Sequence, residues 1–232
     1  MATVLTTGSN RGLGLEWVRQ CAARGCRVVA TCRDPDSAAD LHSLASQYPR
    51  VSIHRLDVSA PDQIADLAAA LEGEALDLLV NNAGVFFEHW GEDAVGNIDY
   101  DAWQETFRVN TLGPIRVTEA FLPHLSRGDR PLVLTISSDM GSIARIDTPR
   151  NYAYRSSKAA LNAAMHGLAL ELQPRGIGVL LVHPGWVRTR MGGPSAGTTP
   201  EVSVRSMLTL VDGFEMGKSG AFLRLDGTDV PW

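Results

Sequence analysis

The sequence predicts an α/β fold: one parallel β-sheet with helices on both faces. Three observations carry this. Short runs rich in Val, Ile and Leu alternate with longer amphipathic stretches along the 232 residues. Several of those short runs show no period-2 alternation, as expected of strands buried on both faces. Prolines also stand where helical stretches begin (Pro35, Pro61, Pro114), a position at which a missing N–H costs nothing.

Taken in order, strands are expected at residues 3–6, 27–31, 51–56, 76–80, 131–136, 178–183 and 221–224. Helices are expected at 13–24, 35–47, 61–71, 100–112, 114–126 and 154–173. This β-α-β-α rhythm calls for right-handed crossovers. No linker or low-complexity tract interrupts it, so the whole chain reads as a single domain. Two stretches break the rhythm: VFFEHWGEDAVGNID at 85–99 and MGGPSAGTTP at 191–200. Both follow strand ends, where open α/β sheets place their ligands. The first reads as a pocket wall. The second opens a substrate loop spanning about 190–212.

Composition narrows the function. Hydrophobic residues make up 44%, enough for a sizeable core, and the formal net charge is −5. That balance argues against nucleic acid or an anionic membrane as partner. Residues Met1-Ala2-Thr3 run straight into a strand, so no leader peptide is expected, and no apolar stretch reaches the roughly 18 residues a membrane span needs. Cys21, Cys26 and Cys32 form an odd trio without a Cys-x-x-Cys pair, read as reduced thiols of a cytoplasmic protein. No histidine has metal-ligand spacing, so no metal is expected, and His54, His89 and His183 read as structural or surface groups.

The stretch VLTTGSNRGLGLEW places Gly8, Gly12 and Gly14 between the first strand and the first helix. Glycine lets backbone approach a pyrophosphate, and a helix N-terminus offers free N–H groups and positive potential. The spacing Thr7-Gly8-x-x-x-Gly12-x-Gly14 differs from the common G-x-G-x-x-G fingerprint. It resembles that of the short-chain dehydrogenase/reductase family. Further motifs follow in family order: NNAG at 81–84, Asn110 in VNTLGP, Ser138 in ISSDMGS, YRSSK from Tyr154 to Lys158, and HPGWVRT at 183–189. The chain's PGWVRTRM and closing SGAFLRLDGTDVPW are similar to the carbonyl-reductase-like branch that includes Sniffer and C-factor proteins.

The resemblance implies a Rossmann-type doubly wound sheet of seven strands in the order 3-2-1-4-5-6-7. It also implies a nicotinamide dinucleotide held by Gly8, Ser9, Asn10, Arg11, Gly12, Leu13 and Gly14 of the turn. Asp57 and Val58 would meet the adenine; Asn82, Ala83 and Gly84 would border the cofactor. Pro184, Gly185 and Val187 would flank the nicotinamide, and Thr189 would reach its carboxamide. Tyr154 would be the proton donor, Lys158 would hold the ribose hydroxyls, Ser138 would polarise the substrate oxygen, and Asn110 would hold a water linking the lysine to solvent.

The residue chemistry agrees. Hydride transfer to a carbonyl leaves charge on oxygen that a proton must neutralise. Tyr154 and Lys158 share a helix face at i, i+4, and a neighbouring ammonium is expected to lower the phenol's pKa. The chain has 19 arginines and only two lysines, so a lysine at this spot is unlike its other surface cations. Tyr152 has Ser156 at i+4 and cannot play the part. Ser138 is preferred over Ser137 and Ser142 because x-x-Gly follows it; the long Ser138–Tyr154 separation suggests a small insertion near 146–151.

At the second strand's tip stand Thr31 and Cys32 in place of an acid, with Arg33 next and Arg11 in the glycine turn. Two guanidiniums there favour NADP(H) over NAD(H), although Asp34 could offset Arg33 or face the ribose. Phe86, Phe87, Met140, Ile143, Trp186 and Met191 are candidates for an apolar pocket taking an aldehyde or ketone. The expected function is NADPH-dependent carbonyl reduction. An NAD-linked alcohol dehydrogenase and a nucleotide-sensing protein without turnover are the alternatives. A homodimer or tetramer is expected through the helices beginning near Pro114 and Tyr154.

Overall fold

A computed structural model of the protein describes residues 2–88 and 94–232. In chain order it contains β1 (Thr3–Thr6), α1 (Gly12–Ala23), β2 (Arg27–Cys32), α2 (Ala39–Gln47), β3 (Val51–Arg55), α3 (Pro61–Ala70) and β4 (Leu78–Asn81). Then come α4 (Tyr100–Phe107), α5 (Gly113–Ala120), α6 (Leu122–Leu125), β5 (Leu132–Ile136), α7 (Tyr152–Leu172), β6 (Gly178–Val182), α8 (Pro200–Asp212) and β7 (Phe222–Leu223). The strands form a seven-stranded parallel sheet in the order β3-β2-β1-β4-β5-β6-β7, as the family resemblance implies.

Successive strand residues feed opposite layers, because side chains alternate across a strand. Val4, Val28, Val80, Leu134 and Val182 pack with Trp17, Val18, Leu41, Val204 and Met207 of α1, α2 and α8. Their neighbours Leu5, Val29, Leu79, Val133 and Leu181 pack with Ile64, Val117, Leu161 and Met165 of α3, α5 and α7. Two apolar layers therefore sandwich one sheet, which explains why the strands read as continuous apolar runs. Trp17 is fully buried although its indole N–H has no partner. Burying such a ring contributes about 4–6 kcal/mol at ~25 cal/mol/Å², more than the ~1–3 kcal/mol cost of an unpaired donor.

Five expectations are corrected. The stretch 190–212 is not a loop throughout, because Pro200–Asp212 is the helix α8. Thr199 caps it, accepting the Val202 N–H (3.4 Å), and Val204, Met207 and Leu208 at i, i+3, i+4 bury one face against the α1 layer. Helix α2 begins at Ala39 rather than Pro35, since 35–38 forms a turn closed by Ala38 N–H to Pro35 O (2.9 Å). The helix expected at 100–112 widens into a π-turn at Arg108–Leu112, and Pro123 stands just inside α6 where 114–126 was expected to be continuous. Helix α7 starts at Tyr152, two residues earlier than expected. His89 and the middle of the 85–99 stretch lie outside the described residues.

The docking of α8 makes a direct prediction. Met207→Ala should lower unfolding stability by ~2–5 kcal/mol, as for other buried methionines. Val202→Ala, on the half-exposed side of the same helix, should change it by less than ~0.5 kcal/mol. Urea titrations of both variants measure this. Equal effects would mean that α8 is not packed as described.

Candidate active site

Strand order reverses between β1 and β4, and the glycine turn sits at that switch point. Gly8 and Gly12 have φ of +67° and +55°, in the left-handed region that a side chain disfavours. A Cβ on Gly14 would collide with the Gly8 carbonyl and the Asn82 side chain. Thr7 joins the turn to the end of β4: its Oγ accepts the N–H groups of Asn82 and Ala83 (3.0 Å each). Asn82 Nδ2 donates back to Thr7 O (2.8 Å) and Gly8 O (3.2 Å). Ser9 is buried, donating to Thr6 O (2.8 Å), while Asn10 and Leu13 are half-buried and Arg11 is exposed. Helix α1 starts without a side-chain cap, leaving its first turn to a ligand or solvent. This cradle of glycine backbone and helix N-terminus fits a dinucleotide pyrophosphate.

Charge fits as well. The Arg11 guanidinium is held below its ordinary pKa by desolvation and then by repulsion from Arg190 and Arg33. Three cations therefore converge beside the turn. Arg190 was missed by sequence reasoning, because it reaches the turn from the far side of the sheet. What brings it there is the segment after β6: a Cβ on Gly12 would stand 3.3 Å from the Thr189 methyl. Gly185 has φ +78°, the Pro184 carbonyl accepts from Ser203 of α8 (2.7 Å), and Val187 is buried and bridged to Thr198.

Helix α7 carries Tyr154 and Lys158 to the same end of the sheet. The Tyr154 hydroxyl is hydrogen-bonded to Ser138, which follows β5. Ser137 is turned away and donates to Asn162 (2.5 Å), and Ser142 donates to Trp232 O (3.4 Å). Lys158 is buried, donates to Ile136 O (2.9 Å) and lies 5.9 Å from the Tyr154 ring centroid. The expected acidification of the phenol is overturned. Desolvation pushes Tyr154 up to about 12, against the Ser138 hydrogen bond that lowers it and the Asp139 charge that raises it. Desolvation also lowers Lys158 to about 8, so burial drives both groups toward their neutral forms.

Asn110 sits in the π-turn, where Pro114 has no N–H to give to the carbonyl four residues back. Its side chain accepts the Val85 N–H (2.8 Å) and donates to Val85 O (2.9 Å) and Ser157 Oγ (3.2 Å). Both amide hydrogens thus serve as a brace. Gly84 lies between, since a Cβ there would be 3.3 Å from Asn110 Oδ1 and 3.9 Å from Lys158 Nζ. Glu88 accepts the N–H groups of Ala153 (3.0 Å) and Tyr154 (2.8 Å). Asn81 instead ties β4 to α5 through Thr118 (3.0 Å).

Asp57 accepts the N–H and hydroxyl of Ser59 (2.8 and 2.7 Å). Val58 is buried, its Cγ2 2.9 Å from the position a Gly113 Cβ would take. Phe86 meets the Tyr154 ring edge-on, 5.1 Å between centroids at 85°. Trp186, Met191 and Phe87 are largely exposed, with the Trp186 indole donating to Gly192 O (2.7 Å). Met140 and Ile143 line a groove of about 390 Å³ walled by Trp103, Tyr152, Arg155 and Ser156, and neither Tyr154 nor Ser138 belongs to those walls. Tyr152 stacks on Trp103 on this outer side of α7. His183 Nδ1 accepts the Asp139 N–H (3.2 Å), Cys21, Cys26 and Cys32 are unpaired thiols raised in pKa by desolvation, and no metal-ligand cluster occurs among the described residues. No described helix is long and apolar enough to cross a membrane.

Known proteins are similar to this chain in sequence and in fold. The family model for short chain dehydrogenases matches residues 2–198. The C-signal protein of Myxococcus xanthus is 46% identical over 157 residues, which span 68% of this chain and 93% of that protein. Among solved structures, the NADPH-bound carbonyl reductase from chicken fatty liver superposes with a TM-score of 0.93 at 34% identity, covering 100% of this chain and 99% of that one. The carbonyl reductase Sniffer of D. melanogaster gives 0.94 at 32% identity, with 100% of both chains covered.

The buried ammonium makes stability depend on pH. Between its folded value of about 8 and its ordinary value of 10.5, the unfolded chain holds a proton on Lys158 that the folded chain releases. Stability from this group therefore rises with pH across that window, and its full penalty is present below pH 8. Lys158→Met should raise the thermal midpoint relative to wild type most at pH 7, with the gain shrinking toward pH 10. A gain that does not vary with pH would contradict this placement of the charge.

Proposed function

Because the chain belongs to the short-chain dehydrogenase/reductase family, we propose that it is an NADPH-dependent carbonyl reductase in which Tyr154 delivers the proton to the substrate oxygen. One observation carries the reading: a phenol hydrogen-bonded to Ser138, with a buried ammonium 5.9 Å from its ring, at the sheet end that holds the glycine turn.

Gly8, Gly12 and the first turn of α1 hold the dinucleotide's pyrophosphate, and Asn82 and Thr7 keep that turn in shape. When bound, the reduced nicotinamide supplies the hydride. Tyr154 stays protonated at neutral pH because desolvation raises its pKa to about 12, which suits a proton donor to an oxygen that becomes far more basic as the reaction proceeds. Ser138 shares its hydrogen bond between the phenol and the carbonyl oxygen and polarises the latter. Lys158, with a pKa of about 8, is mostly charged at pH 7 and steadies the phenolate that remains. Asn110 is assigned to hold a water that returns the proton. Raised phenol acidity is therefore not required; the reductive direction needs a proton held in reserve.

Arg11, Arg33 and Arg190 support NADP(H) over NAD(H), since three guanidiniums beside the turn outnumber the one carboxylate, Asp34, whose charge acts on Cys32 at the strand tip. Phe86, Trp186 and Met191 support an apolar aldehyde or ketone as substrate. The exposed side of α7 with α5 is the proposed dimer face.

Tyr154→Phe should reduce carbonyl turnover by at least ~100-fold, in the range of general acid catalysis, while NADPH affinity stays within about twofold. Steady-state rates over a panel of aldehydes and ketones, with nicotinamide fluorescence for binding, measure both; retained turnover would refute the assignment. Arg33→Ala should weaken NADPH binding by ~10-fold or more and leave NADH binding nearly unchanged, as expected for loss of one charge-assisted bond to a phosphate. Equal loss for both cofactors would remove the case for a 2′-phosphate site.

A further inference from the structure

Helix α7 begins in an unusual way. Arg150 and Asn151, immediately before it, both adopt left-handed backbone conformations, with φ of 80° and 55°. Neither is glycine, so the junction is strained. Asn151, at the cap position, makes no side-chain bond to the helix. The exposed N–H groups of the first turn are instead taken by a residue from another part of the fold. Glu88 Oε1 accepts the Ala153 N–H at 3.0 Å and Oε2 accepts the Tyr154 N–H at 2.8 Å. A carboxylate at a helix N-terminus is favoured by the helix dipole, and a two-oxygen grip fixes angle as well as distance.

The same short segment is fixed at two further points. Val85 exchanges both backbone bonds with the Asn110 side chain, at 2.8 and 2.9 Å. Phe86 places its ring edge-on to the Tyr154 ring. Asn110 then reaches Ser157 (3.2 Å), whose hydroxyl donates to Tyr154 O (2.8 Å). The connections close a loop: Glu88 to the Tyr154 N–H, Tyr154 O to Ser157, Ser157 to Asn110, Asn110 to Val85, and Val85 along the chain to Glu88. Tyr154 is thus held at its N–H, its carbonyl and its ring.

On the reading that Tyr154 is the proton donor, we infer that Glu88 is a positioning residue for that donor: its carboxylate clamps the strained start of α7 and so sets where the phenol stands. A local Ser or Asp cap would stabilise the helix equally well but would leave the segment after β4 free to shift against it. The remote cap makes the two move together. Its two carboxylate oxygens act on main-chain N–H groups, that of Tyr154 among them.

The test uses the full chain with NADPH and 4-nitrobenzaldehyde as probe substrate. Glu88→Ala should lower kcat by ~10- to 100-fold, the scale of a modest misplacement of a reacting group, while the NADPH dissociation constant stays within about twofold. The solvent deuterium isotope effect on kcat should increase, because proton delivery becomes slower than the other steps; a purely structural cap would not produce that. Glu88→Gln keeps one acceptor oxygen and should recover part of the lost kcat, and it carries the test if the Ala variant does not fold. Wild-type kcat in either variant, or a kcat loss matched by an equal loss of NADPH affinity, would overturn the inference. Tyr154→Phe measured alongside separates the two claims. If that variant keeps its rate, the donor assignment itself fails. If it is inactive while Glu88→Ala is not impaired, only the role of Glu88 falls.

Discussion

The rest of the structure depends on one close approach: the Gly8 carbonyl occupies the space where any side chain on residue 14 would project. That contact lets α1 start directly above the end of β1, and it leaves the first-turn N–H groups facing outward. Thr7 and Asn82 then lock the turn to the tip of β4, the strand on the other side of the switch point. A crevice between two diverging connections becomes a rigid, electropositive seat. No flexible side chain could do this, because the approach is backbone to backbone.

On the opposite side of that seat the constraint is burial. Tyr154 and Lys158 are placed where solvent stabilises neither phenolate nor ammonium well. A water-exposed pair at the same spacing would titrate near its ordinary values and contribute little beyond a surface contact. Here desolvation leaves a donor that keeps its proton and a cation that keeps only a modest hold on its own. Ser138 is the polar contact that sets the phenol's direction, while Ser137, one residue earlier and on the other side of the backbone, is spent on Asn162. Alternation at the end of β5 separates the two serines' roles.

Much of this was legible in the sequence. The alternation of strands and helices, the glycine turn and the spacing of Tyr154 and Lys158 follow from local patterns, and local patterns survive folding; the strand order came with the family resemblance. What could not be read depends on distant chain segments meeting. Glu88 and Arg190 act on elements far away in sequence. The direction of the Tyr154 shift reflects enclosure, which the i, i+4 rule does not report. The close approach of Val58 to Gly113, which leaves no room for a side chain there, likewise joins segments far apart in sequence. Helix α8 was missed for another reason: its apolar spacing at 204, 207 and 208 was present, as was the Thr-Pro-Glu start, but the Gly-, Ser- and Thr-rich run ahead of it suggested a longer irregular segment.

The docking of α8 against α1 also bears on how the chain emerges during synthesis. The layer containing Trp17, Val18 and Cys21 is completed by residues from the last part of the chain, Val204, Met207 and Leu208. At about 5–20 residues per second, the ribosome leaves the first helix without its final neighbour for on the order of ten to forty seconds. A greasy stripe on a nascent polypeptide is a site for holdase chaperones, and the time it stays uncovered is governed by translation speed rather than by the folding rate of the finished domain.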